Sequence, residues 1–282
     1  MEILRYFQIF KFPLTLQEIH RFCNVNCDVK EIEGLLFDLV RRDILWNIKD
    51  CYLLESSPTL VENKKEGASI AKVKLKEAAQ AARVINFFPF VRMVSLSGSL
   101  SKGYFEEGSD IDFFIITSKN RMWICRSILH LFKKFTFLIG KQHNYCMNYF
   151  IDETSLKIEE QNQYTAIEIV TLIPQSNSLL FSKFINANKW VESLTPNAKY
   201  YNNCKSINYR TKGLKWVFEK LFDSDKLNSF LMEFTDKKWR AKWSKRGFDM
   251  SKYDRAFKTT LNVSKNHPND YQAKVLHELV TD

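Results

Sequence analysis

Along this chain the spacing of apolar residues switches repeatedly between helical and alternating patterns, and each switch marks an element. Residues 3–10 predict a first helix. Pro13-Leu-Thr15 opens a second, with Thr15 as its cap and Glu18 three residues on completing a capping box. Asp28 caps a third, on which Ile32, Leu35, Leu36, Leu39 and Val40 predict one apolar face. Residues 43–46 and 51–54 then read as two strands of a hairpin around 47–50. A Lys- and Ala-rich helix follows over 60–86, weakened at Gly67 and ended by Phe87-Phe-Pro-Phe90. Strands are predicted at 93–97, 109–117 and 144–151, with a helix at 121–137 capped by Asn120. Strand, helix, strand fits a crossover in a mixed sheet, so the fold class is α/β (α+β). From Glu159 the chain reads as almost wholly helical, with segments at 165–173, 177–191, 212–222 and 226–245 and a polar turn at 264–270 before a last helix.

Most of the chemistry lies in VRMVSLSGSLSKGYFEEGSDIDFFIIT, residues 91–117. Gly98 ends the first strand, and its missing Cβ permits a sharp turn and close approach of the backbone to a ligand. Ser99 adds a hydroxyl and an N–H. Residues 99–104 predict one or two helical turns whose first N–H groups can meet phosphate oxygens, and Lys102 adds a point charge there. Along the next strand Asp110 and Asp112 share a face, while Ile111 and Phe113 take the other. Neighbouring carboxylates in so apolar a strand are costly unless a cation neutralises them. Mg²⁺ (or Mn²⁺) accepts few protein carboxylates and completes its shell with water and phosphate oxygens. Two such ions can bridge a triphosphate. A solvated turn that merely contains Asp-Ile-Asp is the bland alternative. The joint pattern of strand, Gly-Ser turn, short helix and Asp-x-Asp strand favours a site for a nucleoside triphosphate and divalent metal.

At Gly98-Ser99 and Asp110-Ile-Asp112 the chain resembles the nucleotidyltransferase superfamily related to DNA polymerase β, over residues 91–151. The resemblance implies that Gly98 and Ser99 contact the nucleotide phosphates and that Asp110 and Asp112 carry the metals. It implies transfer of a nucleoside monophosphate, with ATP the expected donor, to a hydroxyl or phosphate of an acceptor. It also implies a third carboxylate on a following strand, near the attacking oxygen. There the sequence departs, because the expected place holds Asn148, which is neutral and cannot take a proton as a carboxylate does. Asp152 shares its parity but lies roughly 13 Å further along an extended strand; Glu153 and Glu168 are other substitutes. The Gly-Ser, Asp-x-Asp and Asn-Tyr-Phe pattern is similar to a bacterial subgroup with a winged-helix N-terminus. The expected organisation is a winged-helix-like unit at 1–55, a linking helix at 56–90, a nucleotidyltransferase core at 91–158 and a C-terminal helical module at 159–282. The resemblance implies that such a module closes over the base or holds the acceptor.

The net charge of +10 is uneven. Residues 1–55 hold 7 Lys/Arg against 9 Asp/Glu, so basicity belongs to the rest of the chain. The third helix sets Asp28, Glu31, Glu33 and Asp38 against Lys30, Arg41 and Arg42. That is a poor match for a phosphate backbone, and it favours a protein partner or an intramolecular role for the winged-helix-like unit over DNA reading. Neither a signal peptide nor a run long enough to span a membrane is visible, which predicts a soluble, cytoplasmic protein with no membrane partner. The six cysteines read as reduced thiols, although His20, Cys23, Cys27 and Cys51 crowd one unit where a zinc site is conceivable.

Three further signals have bland alternatives. Arg121 and Arg126 either contact phosphate or face water, the second being favoured. Trp239 and Trp243, four apart among lysines, either stack nucleic-acid bases or bury against the body of the protein, again the favoured reading. His267 is a base, a phosphate ligand or part of a capped turn. The leading function is a nucleotidyltransferase with an unidentified acceptor, such as an antibiotic, protein side chain, sugar phosphate or tRNA end. A nucleotide-binding sensor or adaptor without turnover and a DNA-binding regulator are the alternatives.

Overall fold

The Thr15 hydroxyl accepts the Glu18 backbone N–H at 3.3 Å while the Glu18 carboxylate accepts that of Thr15 at 2.8 Å, so the capping box forms as written in the sequence. The structure is a computed structural model that describes residues 1–138, 140, 142–201 and 213–280. Its N-terminal part comprises α1 (Glu2–Gln8), β1 (Leu14–Thr15), α2 (Leu16–Phe22), α3 (Val29–Arg41), β2 (Trp46–Ile48) and β3 (Cys51–Leu53). The three strands form an antiparallel sheet in the order β1-β3-β2. The hairpin turns at Lys49-Asp50, both left-handed (φ 51° and 62°), the two-residue turn whose twist suits antiparallel strands. Its first strand therefore begins at Trp46 rather than at 43, and β1 is a strand that the sequence pattern hides. On α3, Ile32 and Leu36 are buried but Leu35 is 64% exposed. One residue of offset turns it about 100° away from the buried stripe.

The long α4 (Pro58–Phe87) leads to a second sheet. At Gly67 of this helix a Cβ would lie 2.2 Å from the Tyr104 ring, so glycine is what lets that ring pack. Then come β4 (Val91–Leu96), α5 (Gly98–Ser101), β5 (Asp112–Thr117), α6 (Met122–Phe137) and β6 (Cys146–Asp152). They continue into α7 (Gln163–Thr171), β7 (Ile173–Pro174), α8 (Ser178–Ala187), α9 (Val191–Leu194), α10 (Leu214–Leu221), α11 (Asp225–Lys245), α12 (Tyr253–Ala256), β8 (Val263–Lys265) and α13 (Tyr271–Val280). The sheet order is β7-β4-β5-β6-β8. Among the described residues only β5 and β6 pair in parallel, joined through α6 as the crossover reading requires.

The almost wholly helical reading after Glu159 is thus corrected at two points, since β7 and β8 supply both edges of this sheet. The predicted helix 177–191 breaks at Asn188, whose buried side chain accepts from Ile158 N–H and donates to the carbonyls of Leu156 and Phe184. Asn120 does not cap α6; Arg121 takes that position, and the Asn120 N–H goes to Asp152. Position 212, the expected start of the next helix, lies outside the described residues, as does Cys204.

Alternation sorts the core into two layers. Val94, Leu96, Phe113 and Ile115 pack toward α4 and α6, while Met93, Phe114 and Ile116 pack toward α7, α8 and the N-terminal part. Arg121 pairs with Asp223 and Asp225. Arg126 is buried over Trp239, 4.4 Å from the ring centre, so neither arginine simply faces water. Trp239 and Trp243 pack on Phe257, the favoured reading for that helix. Cys23 and Cys27 lie with their sulfurs 3.9 Å apart beside the Asn197 amide, while the His20 ring is spent on the Cys27 carbonyl and Cys51 is buried in the hairpin. No described helix is long and apolar enough to cross a membrane.

Candidate active site

The end of β4 and the start of β5 lie side by side, with Leu96 opposite Phe113. Ser97 N–H donates to the Asp112 carbonyl at 3.0 Å and carries the chain over the Asp112 side chain. Gly98 sits there with φ 67°, and a Cβ would fall 2.5 Å from Oδ2 of Asp112. Any other residue would meet both a strained backbone and a carboxylate. The short α5 that follows holds Ser99. Lys102, just after it, donates through Nζ to the Gly98 carbonyl at 3.2 Å and to Glu168 Oε1 at 2.7 Å.

Asp110 precedes β5 rather than lying in it, which corrects the predicted strand start at 109. The loop is pinned because Ile111 donates to the His143 carbonyl at 2.8 Å and accepts from Cys146 N–H at 3.1 Å. Asp110 Oδ1 meets His143 Nδ1 at 2.6 Å. Asn148 is an extra residue on β6: the register steps from Phe113–Met147 to Phe114–Tyr149 and leaves it unpaired. Such a bulge re-aims a side chain. Here Asn148 Nδ2 donates to Asp112 Oδ1 at 2.7 Å.

A cavity of about 540 Å³ opens over this corner, within the size range of small-molecule sites. Gly98, Ser99, Lys102, Asp110, Asp112, Asn148 and Glu168 all line it, so the sequence-predicted candidates meet in one place. Asp152 does not. It lies opposite Thr117 at the far end of β6 and accepts from Asn120 N–H, Thr154 N–H and Asn262. Glu153, next along, is exposed and its N–H caps the Thr117 carbonyl, so neither replaces the third carboxylate. Glu168 is in the cavity but is spent on Lys102.

The far wall is not local in sequence. It comes from α1 (Tyr6), the turn after it (Phe10), α7 (Tyr164) and the segment 265–272. Lys265 donates to Gln272 Oε1 at 2.9 Å, and the His267 ring sits edge-to-face on Tyr149 with centres 6.0 Å apart. Of these, only His267 drew notice from the sequence. The contributions of Tyr6, His143 and Tyr164 depend on packing between distant segments, for which a single sequence carries no signal.

Burial, and then the nearby Asp110 charge, push the Asp112 carboxyl up to about 6. Burial and the neighbouring Lys265 pull His267 down to about 4, so its imidazole is neutral at pH 7. Burial drives Tyr6 and Tyr164 well above the usual phenol value and keeps both hydroxyls protonated. Two acids this near each other, one of them largely buried, form a donor set that fits a hard divalent cation. No group of three or more His, Cys, Asp or Glu among the described residues has metal-holding geometry. The protein side therefore offers the two carboxylates, and water and phosphate oxygens would complete the shell.

No curated protein and no solved structure matches the chain. Residues 79–174 match the family model described as a nucleotidyltransferase domain. That stretch carries the Gly98 turn, Asp110, Asp112 and Asn148 on the mixed sheet, and its match supports a nucleotidyltransferase domain at the site.

Proposed function

We propose that the protein is a metal-dependent nucleotidyltransferase that moves a nucleoside monophosphate from a nucleoside triphosphate, with ATP the expected donor, to an acceptor. One observation carries the reading: within the family-matched segment, the Asp112 carboxylate lies beneath Gly98, a position with no room for a side chain, and Asp110 and Asp112 both line a small-molecule cavity. Asp110 and Asp112 would hold Mg²⁺ or Mn²⁺. A divalent ion there supplies charge neutralisation to the triphosphate and to the departing pyrophosphate. The bare backbone at Gly98 and the Ser99 hydroxyl give the triphosphate a close approach. Lys102 can exchange Glu168 for a phosphate, both being anionic oxygens within reach of one flexible ammonium. Asn148 steadies Asp112 by a hydrogen bond and takes no proton. Positioning and electrostatics account for most of the rate in such transfers.

The test is release of pyrophosphate and movement of label from ATP labelled at the α-phosphate. Asp110→Ala and Asp112→Ala should each abolish transfer and leave the circular dichroism spectrum intact. Full activity in either variant refutes the assignment. A second reading, a nucleotide-binding sensor, is favoured by Asn148 alone, because its amide stands where a proton-accepting carboxylate is expected. Binding of ATP and metal with no pyrophosphate released, whatever acceptor is offered, would select it. In either case α1 forms part of the cavity wall, which supports an intramolecular role for the N-terminal part over DNA reading.

A further inference from the structure

Two polar atoms in the cavity region lack partners. Tyr6 Oη and the Asn266 side-chain oxygen are both buried with no hydrogen-bond partner, and both residues line the cavity. Leaving such atoms unsatisfied is costly, and pairs of them in one recess mark a place where a ligand's own polar groups complete the bonding. The recess has a definite position. Across the sheet the site runs from Gly98 after β4, through Asp112 on β5 and Asn148 on β6, to Asn266 after β8, whose N–H donates to the Asn148 carbonyl at 3.0 Å. Its Asn266 end therefore lies across Asp112 from Gly98, on the side an acceptor must occupy if Gly98 and Ser99 hold the triphosphate.

The chemistry of the recess selects a class of acceptor. Outside the Asp110–Asp112 pair, the carboxylates lining the cavity are already engaged: Glu168 is paired with Lys102, Glu160 with Lys258, and Glu106 accepts from the Tyr104 hydroxyl. The one cation left over, Lys265, is tied to the Gln272 amide oxygen. Beyond Asp110 and Asp112, a cationic acceptor would find no carboxylate here without a partner. What remains are groups that exchange hydrogen bonds with neutral partners: the Tyr6 hydroxyl, the Asn266 amide, the Gln272 amine end and the neutral His267 ring. Around them stand aromatic faces, with Tyr6 stacked on Tyr164 at 6.4 Å and Phe10 against Tyr271 at 5.2 Å. Hydroxyl groups donate and accept at once, and the C–H face of a saturated ring packs on an aromatic surface.

Resting on the nucleotidyltransferase reading, we infer that this recess binds a small neutral polyhydroxylated acceptor, a sugar or cyclitol, and that Tyr6 of α1 and Asn266 beyond β8 position it. One of its hydroxyl oxygens attacks the α-phosphorus, forming a new P–O bond. The bond to the β-phosphate oxygen breaks, pyrophosphate leaves with that electron pair, and the hydroxyl proton passes to solvent.

The full chain is incubated with Mn²⁺ and α-labelled ATP, offering in turn D-glucose, myo-inositol and trehalose, then glucosamine, then an RNA 3′ end. ATP affinity is measured separately by equilibrium dialysis. The expected result is label on a neutral polyol. Tyr6→Phe and Asn266→Ala should each raise the KM for that polyol about tenfold, the loss of one hydrogen bond, without altering the dissociation constant for ATP. Preferential labelling of glucosamine or RNA overturns the inference, as does ATP binding with no polyol labelled. Weakened ATP binding in Tyr6→Phe also overturns it and makes the recess a base pocket. If wild-type protein binds no ATP, the nucleotidyltransferase reading itself falls and takes this inference with it.

Discussion

Asp112→Asn should make the metal-free protein more stable at pH 8 while destroying its proposed activity. In the folded chain this carboxyl is raised from its ordinary 3.8 to about 6, first by burial and then by Asp110. A group whose folded pKa exceeds its unfolded pKa favours folding only while it is protonated. The favourable contribution is complete below about pH 4, is lost as pH rises to about 6, and is absent above that. A shift of some two units corresponds to about 3 kcal/mol. Asparagine carries no charge to bury and still offers Asn148 an oxygen to bond. The gain over wild type should thus approach ~3 kcal/mol at pH 8, roughly 6 °C in melting temperature for a chain of this length, and shrink toward zero at pH 4. The assay is a thermal melt of both proteins in chelator-treated buffer from pH 4 to 8.5. Saturating Mg²⁺ with ATP should then close the gap from the other side by stabilising wild type alone. An equal gain at pH 4 and pH 8, or a loss at pH 8, would refute the electrostatic account of the site.

Asn148→Asp adds a third acid to the Asp110–Asp112 corner, so above pH 6 it should lower the metal-free melting temperature by several degrees, with recovery on adding Mn²⁺. Lys102→Met should raise the KM for ATP about tenfold, read in a pyrophosphate-release assay, with its melt unchanged within ~1 kcal/mol because a partly exposed pair adds little. Gly67→Ala drives a methyl into the Tyr104 ring and should cost about 1–3 kcal/mol in urea unfolding; the penalty should largely vanish in a Tyr104→Ala background. Arg126→Met, which replaces a buried cation lying on aromatic rings, should be within ~1 kcal/mol of wild type, whereas Arg126→Ala leaves a hole and should cost about 2–4 kcal/mol.

What the sequence makes legible is what neighbouring residues decide among themselves. The Thr15–Glu18 box, the long α4 and the Gly98 turn are local bargains between side chain and backbone. The strand–helix–strand crossover follows from patterns of apolar residues. Gly98, Ser99, Lys102, Asp110, Asp112 and Asn148 meet at one corner because two adjacent strand ends carry most of them. The misses have a common cause. Strands β7 and β8 are two and three residues long, too short to show an alternation, and exist because a sheet edge was there to pair with. The bulge at Asn148 depends on how β6 registers on β5, and the Asp110–His143 contact depends on that register in turn. Leu35 looks buried in a helical wheel, yet only the packing partner decides where the stripe ends.

Because β8 hydrogen-bonds alongside β6, more than a hundred residues later in the chain, the wall that carries Lys265 and His267 leaves the ribosome well after the strand it completes. A ribosome-held chain can already have extruded the glycine turn and both aspartates while that side of the cleft is still open to water. A fragment cut off before position 260 would keep Asp110, Asp112 and the aromatic wall from Tyr6 and Tyr164, and would leave the cleft without its β8 side.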